Sequence, residues 1–145
     1  LWLSKACNKL QGQFTSGVSS IAQRAALAAV TSKSDSKERM REAFLRRRDL
    51  ICSLLGDIPG LKVRVPQGAF YVMPDIRSFI GKSYNGQVMK DADDLTFFLL
   101  AEARVAMVSG SAFGATNCIR ISYATSDDRI TEAVRRIKEA LAKLA

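Results

Sequence analysis

Cys118-Ile119-Arg120-Ile121-Ser122-Tyr123-Ala124 decides the fold, because it alternates apolar and polar side chains at a period of two. In an extended strand successive side chains point to opposite faces. Ile119, Ile121 and Tyr123 therefore share one face, and Cys118, Arg120 and Ser122 share the other. Upstream, Val105-Ala106-Met107-Val108 reads as a short strand, joined to the first by the glycine-bearing loop Ser109-Gly110-Ser111-Ala112-Phe113-Gly114. Downstream, Thr125 or Ser126 caps a helix whose Ile130, Val134, Ile137, Leu141 and Leu144 fall on one face. Strands followed by amphipathic helices predict a layered unit in which helices cover a small sheet.

Further upstream, Leu61, Val63 and Val65 alternate with Lys62 and Arg64, as in a half-buried strand. Pro66-Gln67-Gly68 connects it to Ala69-Phe70-Tyr71-Val72-Met73, a nearly continuous apolar run expected of a more central strand and stopped by Pro74. Gly68 permits positive φ or a close backbone approach at the mouth of that strand. Residues 77–90 read as an irregular loop, and Asp91 caps a helix carrying Leu95, Phe98 and Leu99.

The first part of the chain is helical. Leu3, Ala6, Cys7 and Leu10 mark a short helix within 1–13. A second runs to about Val30 with Val18, Ile21, Ala22, Ala25 and Ala29 at 3–4 spacing, started by Ser16 or by a Ser20–Gln23 capping box. After the polar linker 31–36, Asp35 and Glu38 open a long helix with Met40, Ala43, Phe44, Ile51, Leu54 and Leu55 on its apolar face. Gly56 ends that helix, and Pro59-Gly60 makes a turn. Its basic run, Lys37, Arg39, Arg41 and Arg46-Arg47-Arg48, is interrupted by Glu38, Glu42 and Asp49, with Glu42 and Arg46 spaced as an exposed i,i+4 pair.

The 145 residues (15.9 kDa) are enough for one domain that buries about 70% of its unfolded surface. At 48% hydrophobic and 25% charged residues the composition is globular, which excludes wholesale disorder. No apolar run reaches the roughly 18 residues of a membrane span. With no histidine, Ser-His-Asp and Cys-His catalysis, HExxH zinc sites and histidine proton shuttles are excluded within these residues. Cys7, Cys52 and Cys118 are odd in number and lack a CxxC pair, which points away from a zinc site or disulfide framework and toward a reducing compartment. The net charge of +8 and pI near 9.8 suit an anionic partner: nucleic acid, an anionic membrane, or phosphate or carboxylate substrates. Phe44, the one aromatic residue within the basic run, falls on the apolar face, so no base-stacking platform is expected. A start without methionine or signal peptide is expected of a piece of a longer protein.

Arg120 carries the chemical question. Between Cys118 and Ser122 it has room for a flat, two-oxygen partner, and a guanidinium fork grips a carboxylate through two parallel charge-assisted hydrogen bonds. An arginine on the wet face of an antiparallel sheet gives the same pattern, so the residues alone leave both readings open. Likewise Phe70 either walls a pocket or packs the core, and loop 109–114 either cradles an anion or simply connects.

The ordered set of segments resembles a known family. Gln13-Phe14-Thr15-Ser16-Gly17 with Ser20-Ile21-Ala22-Gln23 comes first, then Arg46-Arg47-Arg48-Asp49 and Pro66-Gln67-Gly68-Ala69-Phe70-Tyr71. Val105-Ala106-Met107-Val108 with Gly110, Phe113 and Gly114 follows, and the strand 118–124 closes the set. Together they resemble the C-terminal part of the fold-type I, pyridoxal-phosphate-dependent aminotransferases, most of all the prokaryotic-type aspartate aminotransferases that include prephenate users. The resemblance covers essentially the whole chain. It departs at Ser109 and Ser111, where relatives often carry proline and aspartate.

The resemblance implies an α/β protein, α+β within this stretch. Residues 1–33 would be the helical end of the large cofactor domain, 34–56 the connecting helix, and 57–145 the small domain with a mixed or antiparallel sheet. It implies transfer of an amino group between an amino acid, aspartate or glutamate, and a 2-oxo acid, by a cytoplasmic homodimer that binds neither nucleic acid nor membrane. It assigns the substrate α-carboxylate to Arg120, places Phe70 in the substrate pocket, and puts Thr15 and Ser16 near the active site and dimer interface. The cofactor is pyridoxal 5′-phosphate. Its Schiff-base lysine lies upstream of the matching region, and Ser4-Lys5 is not that segment, so no catalytic residue and no metal site is expected here and the chain alone is expected to be inactive. The contrasting expectation is a non-catalytic basic interaction module with the same ancestry.

Overall fold

A computed structural model describes residues 1–14 and 16–145; the assignment at Thr15 lies outside the described residues. Two compact units are present, Leu1–Lys37 and Glu38–Ala145.

The first unit contains helices α1 (Trp2–Phe14) and α2 (Ser20–Thr31), neither of which buries a residue. Leu3, Leu10 and Ile21 are 60%, 56% and 82% exposed, so the apolar residues predicted to mark these helices remain bare. The cap of α2 lies one residue earlier than the capping-box spacing suggests: Ala22 N–H donates to Ser19 Oγ at 3.3 Å. Gln23 still reaches back, with Nε2 donating to the Val18 carbonyl at 2.7 Å.

The second unit holds the core. Helix α3 (Ser36–Gly56) contributes Ile51, Cys52 and Leu55. Helix α4 (Ala92–Ala103) contributes Leu95, Phe98 and Leu99, and helix α5 (Asp127–Leu141) contributes Ile130, Val134, Ile137 and Leu141. Met40, predicted on the apolar face of α3, is 59% exposed. Asp91 caps α4 as expected, accepting from Asp94 N–H at 2.9 Å.

Strands β1 (Tyr71–Val72), β4 (Val108–Ser109) and β5 (Ile119–Ser122) form an antiparallel sheet in the order β1-β5-β4. Ile119, Ile121 and Tyr123 turn into the shared core at 1%, 6% and 1% exposure, while Cys118, Arg120 and Ser122 lie on the opposite face. Helices thus cover one sheet face, the predicted α+β arrangement.

Several strand expectations are corrected. Residues 61–65 do not form a strand: only Lys62 bridges, to Asp75, and Val65 is 59% exposed beside Pro66, which has no N–H to extend a ladder. The run 69–73 is an edge, not a central strand. Its apolar character comes from packing against Phe44 of α3 and from burial of Val72, not from a strand on each side. Val105–Met107 precede the ladder, because Arg104 ends α4 in the left-handed region and β4 starts only at Val108. Residues 77–90 are more regular than a loop. A 3₁₀ turn (Arg77–Phe79) leads into a hairpin of β2 (Ser83–Tyr84) and β3 (Gln87–Val88). Asn85 and Gly86 turn the hairpin with φ of 49° and 81°, the paired positive φ of a type I′ turn.

Gly68 needs neither positive φ nor close approach, since nothing lies within 4 Å of a Cβ built there. The left-handed residue is its neighbour Ala69, at φ 61°. The turn is held by Tyr123, whose hydroxyl donates to the Ala69 carbonyl at 3.0 Å.

Candidate functional site

The open face of the sheet is built by register. Tyr71 pairs with Ser122, so Tyr71 shares a face with Ser122 and Arg120 and stands diagonal to the arginine. Diagonal neighbours are within reach of aromatic and long side chains. The Arg120 guanidinium carbon accordingly lies over the Tyr71 ring, 4.3 Å from its centroid. On the other flank Val108 pairs with Arg120, and the chain leaving β4 enters a 3₁₀ turn (Gly110–Phe113). That turn brings the Phe113 ring to 4.1 Å from the same guanidinium carbon. Among the described residues Arg120 has no hydrogen bond or ion pair; two rings hold it, and it is partly buried.

The position of Phe113 follows from Gly110. This residue is buried, and an added Cβ would sit 2.2 Å from the Ala115 carbonyl oxygen and 2.3 Å from that of Cys118. Gly110 N–H donates to Cys118 O and Ala115 N–H donates to Gly110 O, both at 2.9 Å. Ser109 and Ser111 are tied in as well. Ser111 Oγ donates to Asp93 Oδ1 at 2.8 Å, and the Ser109 and Ser111 hydroxyls lie 2.5 Å apart. These hydroxyls hold the Asp93 carboxyl below its ordinary range. Loop 109–114 is therefore a braced support, closed by internal bonds.

Phe70 points differently. Its ring is 6.1 Å from Phe44 of α3 and 4.3 Å from Tyr71, and the ring that this segment lays over Arg120 is that of Tyr71. Ser16 is exposed in the first unit. Sequence reasoning missed both Tyr71 and Phe113. The spacing of Gly110 and Gly114 hinted at a tight turn, but no pattern shows where its side chains go.

Beyond Arg120, a cleft of about 580 Å³ runs along the same face, lined by Lys62, Arg64, Asp75, Arg77, Asn117 and Cys118 among others. Arg77 grips Asp75 through Nε at 2.9 Å and Nη2 at 2.6 Å, which lowers the Asp75 pKa. The Cys118 thiol is pushed up, chiefly by burial. No group of three or more histidine, cysteine or acidic residues among the described residues could hold a metal ion.

The basic run of α3 is not a free stripe. Arg46 does not pair with Glu42; it reaches Asp127 at the start of α5 at 2.9 Å, and Arg47 reaches the same carboxylate at 3.3 Å. Arg41 pairs with Glu38, and Arg48 with Asp49 at 2.7 Å. Cations already facing carboxylates have little left for a polyanion, so nothing here favours a basic interaction module. No helix among the described residues is long and apolar enough to cross a membrane.

A family model described as aminotransferase class I and II matches residues 2–137. The chain belongs to the class I and II aminotransferases. The bifunctional aspartate aminotransferase and glutamate/aspartate-prephenate aminotransferase of Petunia hybrida is 44% identical over 140 residues, covering 94% of this chain and 29% of that protein. The aspartate/prephenate aminotransferase of Cereibacter sphaeroides is 44% identical over 144 residues, covering 99% of this chain and 36% of that protein. The crystal structure of the aspartate aminotransferase of Rhizobium meliloti superposes with a TM-score of 0.86 at 42% identity, over 97% of this chain and 36% of that one. The chain spans about a third of the length of the curated relatives it matches.

An aminotransferase lysine that forms a Schiff base must be a poised amine, which burial achieves by disfavouring the ammonium. Among the described residues no charged or polar side chain is buried, lysines included. These residues therefore do not fit the attachment site of an aldehyde cofactor. What they present is a ring-held guanidinium on an open sheet face, with no carboxylate partner among the described residues.

Proposed function

We propose that this chain is the carboxylate-gripping part of a pyridoxal-phosphate-dependent aminotransferase, which moves an amino group between aspartate or glutamate and a 2-oxo acid. Arg120 binds the α-carboxylate of the amino acid. The observation that carries this is the state of Arg120: partly buried, flanked by aromatic rings, and without a carboxylate partner among the described residues. Other partly buried arginines of the fold face an acidic neighbour, Arg47 reaching Asp127 and Arg48 reaching Asp49. Arg120 instead keeps its N–H donors for an anion that is not part of the described fold.

In this reading the chain orients substrate and does no covalent chemistry, so alone it is inactive. Phe70 is assigned to the lining of the substrate pocket, a role supported by its ring lying 4.3 Å from that of Tyr71. Ser16, together with Thr15, is assigned to the neighbourhood of the active site and dimer interface. Residues 1–33, 34–56 and 57–145 are the end of the large domain, the connecting helix and the small domain of a cytoplasmic homodimer.

The test uses the full-length protein that carries this chain, assayed for amino transfer from aspartate to 2-oxoglutarate. A hydrogen-bonded charge pair contributes about 1.5–3 kcal/mol, so Arg120→Lys should raise the KM for the amino acid roughly ten- to a hundredfold. An unchanged KM in a folded Arg120→Lys protein overturns the assignment.

A further inference from the structure

We infer that Tyr71 and Phe113 are positioning residues for the substrate carboxylate, acting together as an aromatic clamp on Arg120; this rests on the carboxylate reading above. Tyr71 comes from β1 and Phe113 from the turn after β4, the two strands that flank β5. The rings therefore reach Arg120 from its two flanks, with centroids 4.3 and 4.1 Å from the guanidinium carbon. A guanidinium is planar, and its donors all lie in that plane. Rings over the central carbon leave the N–H edges as the open directions, and those edges match the two oxygens of a carboxylate.

The device works through entropy and charge. A free arginine loses rotamer freedom when it binds a ligand, and that loss is subtracted from affinity. Held between rings, Arg120 has lost that freedom already. A carboxylate neighbour would also hold the side chain still, but it would occupy the donors and compete with the substrate. Neutral rings attract the cation through their faces and leave its charge and its in-plane donors available. The ligand this arrangement takes is a small molecule with a flat monoanionic carboxylate.

Neither ring is part of the core. Phe113 is 49% exposed and Tyr71 is only partly buried, so shortening them leaves the packed interior intact. The experiment compares Tyr71→Leu, Phe113→Leu, Tyr71→Phe and Phe113→Tyr in the full-length protein, with thermal unfolding to establish folding and Arg120→Lys as reference. Each leucine variant should raise the KM for the amino acid about tenfold while kcat changes less than about twofold, and each ring-preserving variant should stay within about twofold in both. Leucine variants with the parent KM, or ring-preserving variants as impaired as the leucine ones, overturn the clamp. If Arg120→Lys raises KM and the leucine variants do not, the clamp alone fails. If Arg120→Lys leaves KM unchanged, the carboxylate reading itself fails.

Discussion

Replacing Gly110 with alanine tests the support beneath Phe113. The new methyl group would sit 2.2 Å from Ala115 O and 2.3 Å from Cys118 O, where ordinary contacts begin above 3 Å. Both obstacles are backbone, so relief requires the loop to move by the better part of an ångström. The same atoms carry the loop's bonds: Gly110 N–H to Cys118 O, Ala115 N–H to Gly110 O, and Cys118 N–H to Ala115 O, each 2.9 Å. Overpacking costs about 1–3 kcal/mol. Each lost hydrogen bond adds about 1 kcal/mol. With one or two bonds lost, Gly110→Ala should destabilise the protein by about 2–5 kcal/mol. Urea unfolding of the full-length protein measures this, with Gly68→Ala as the comparison because a Cβ there meets nothing within 4 Å. Phe113 lies three residues after Gly110, so the KM for the amino acid should rise as well. A loss below about 1 kcal/mol with an unchanged KM would refute the idea that this close approach sets the position of the ring.

Two further outcomes follow from local features. Glu132 accepts from Arg135 and Arg136 on α5, and those bonds lower its pKa to about 2. The folded state thus binds the proton more weakly than the unfolded one. This contribution is complete above the ordinary value of 4.5 and fades as pH falls toward about 2. Glu132→Gln should flatten the dependence of the urea midpoint on pH across that window and leave its slope at neutral pH unchanged. At Ala69, the φ of 61° is strained for any residue with a Cβ. Ala69→Gly should raise stability by about 0.5–1 kcal/mol in thermal unfolding, and a destabilisation would show that the left-handed turn is not strained.

The sequence displays most of what positions Arg120 and little of what touches it. Alternation along 118–124 sets its face without knowledge of any neighbour, because the period of a strand is local. The apolar stripe of α5 is equally local, and each residue expected there is buried. Strand pairing is not local. Whether Phe70 or Tyr71 shares a face with Arg120 depends on the register of β1 against β5, and a one-residue slip exchanges them. The strand expected at 61–65 failed for the same reason: alternation describes a chain able to pair, and only Lys62 found a partner. The hairpin at 83–88 was missed in the irregular-loop reading of 77–90, although Asn85-Gly86 is the dipeptide a type I′ turn favours, because its two-residue strands are too short to show alternation. Phe113 was not, because its place depends on a backbone contact between Gly110 and residues five and eight positions further along.

Net charge is a poor guide to which cation binds an anion. The +8 balance counts Arg46, Arg47, Arg48, Arg77, Arg135 and Arg120 alike, yet each of the first five faces a carboxylate within 4 Å. Such a pair presents a dipole to an incoming anion, and the anion must displace a ligand already present at high effective concentration. Arg120 faces aromatic rings, which hold a cation without neutralising it. The discriminating quantity is therefore the identity of each cation's neighbour. By that measure a partly buried arginine on a small sheet is better prepared for a carboxylate substrate than the cluster Arg46-Arg47-Arg48, which carries more charge.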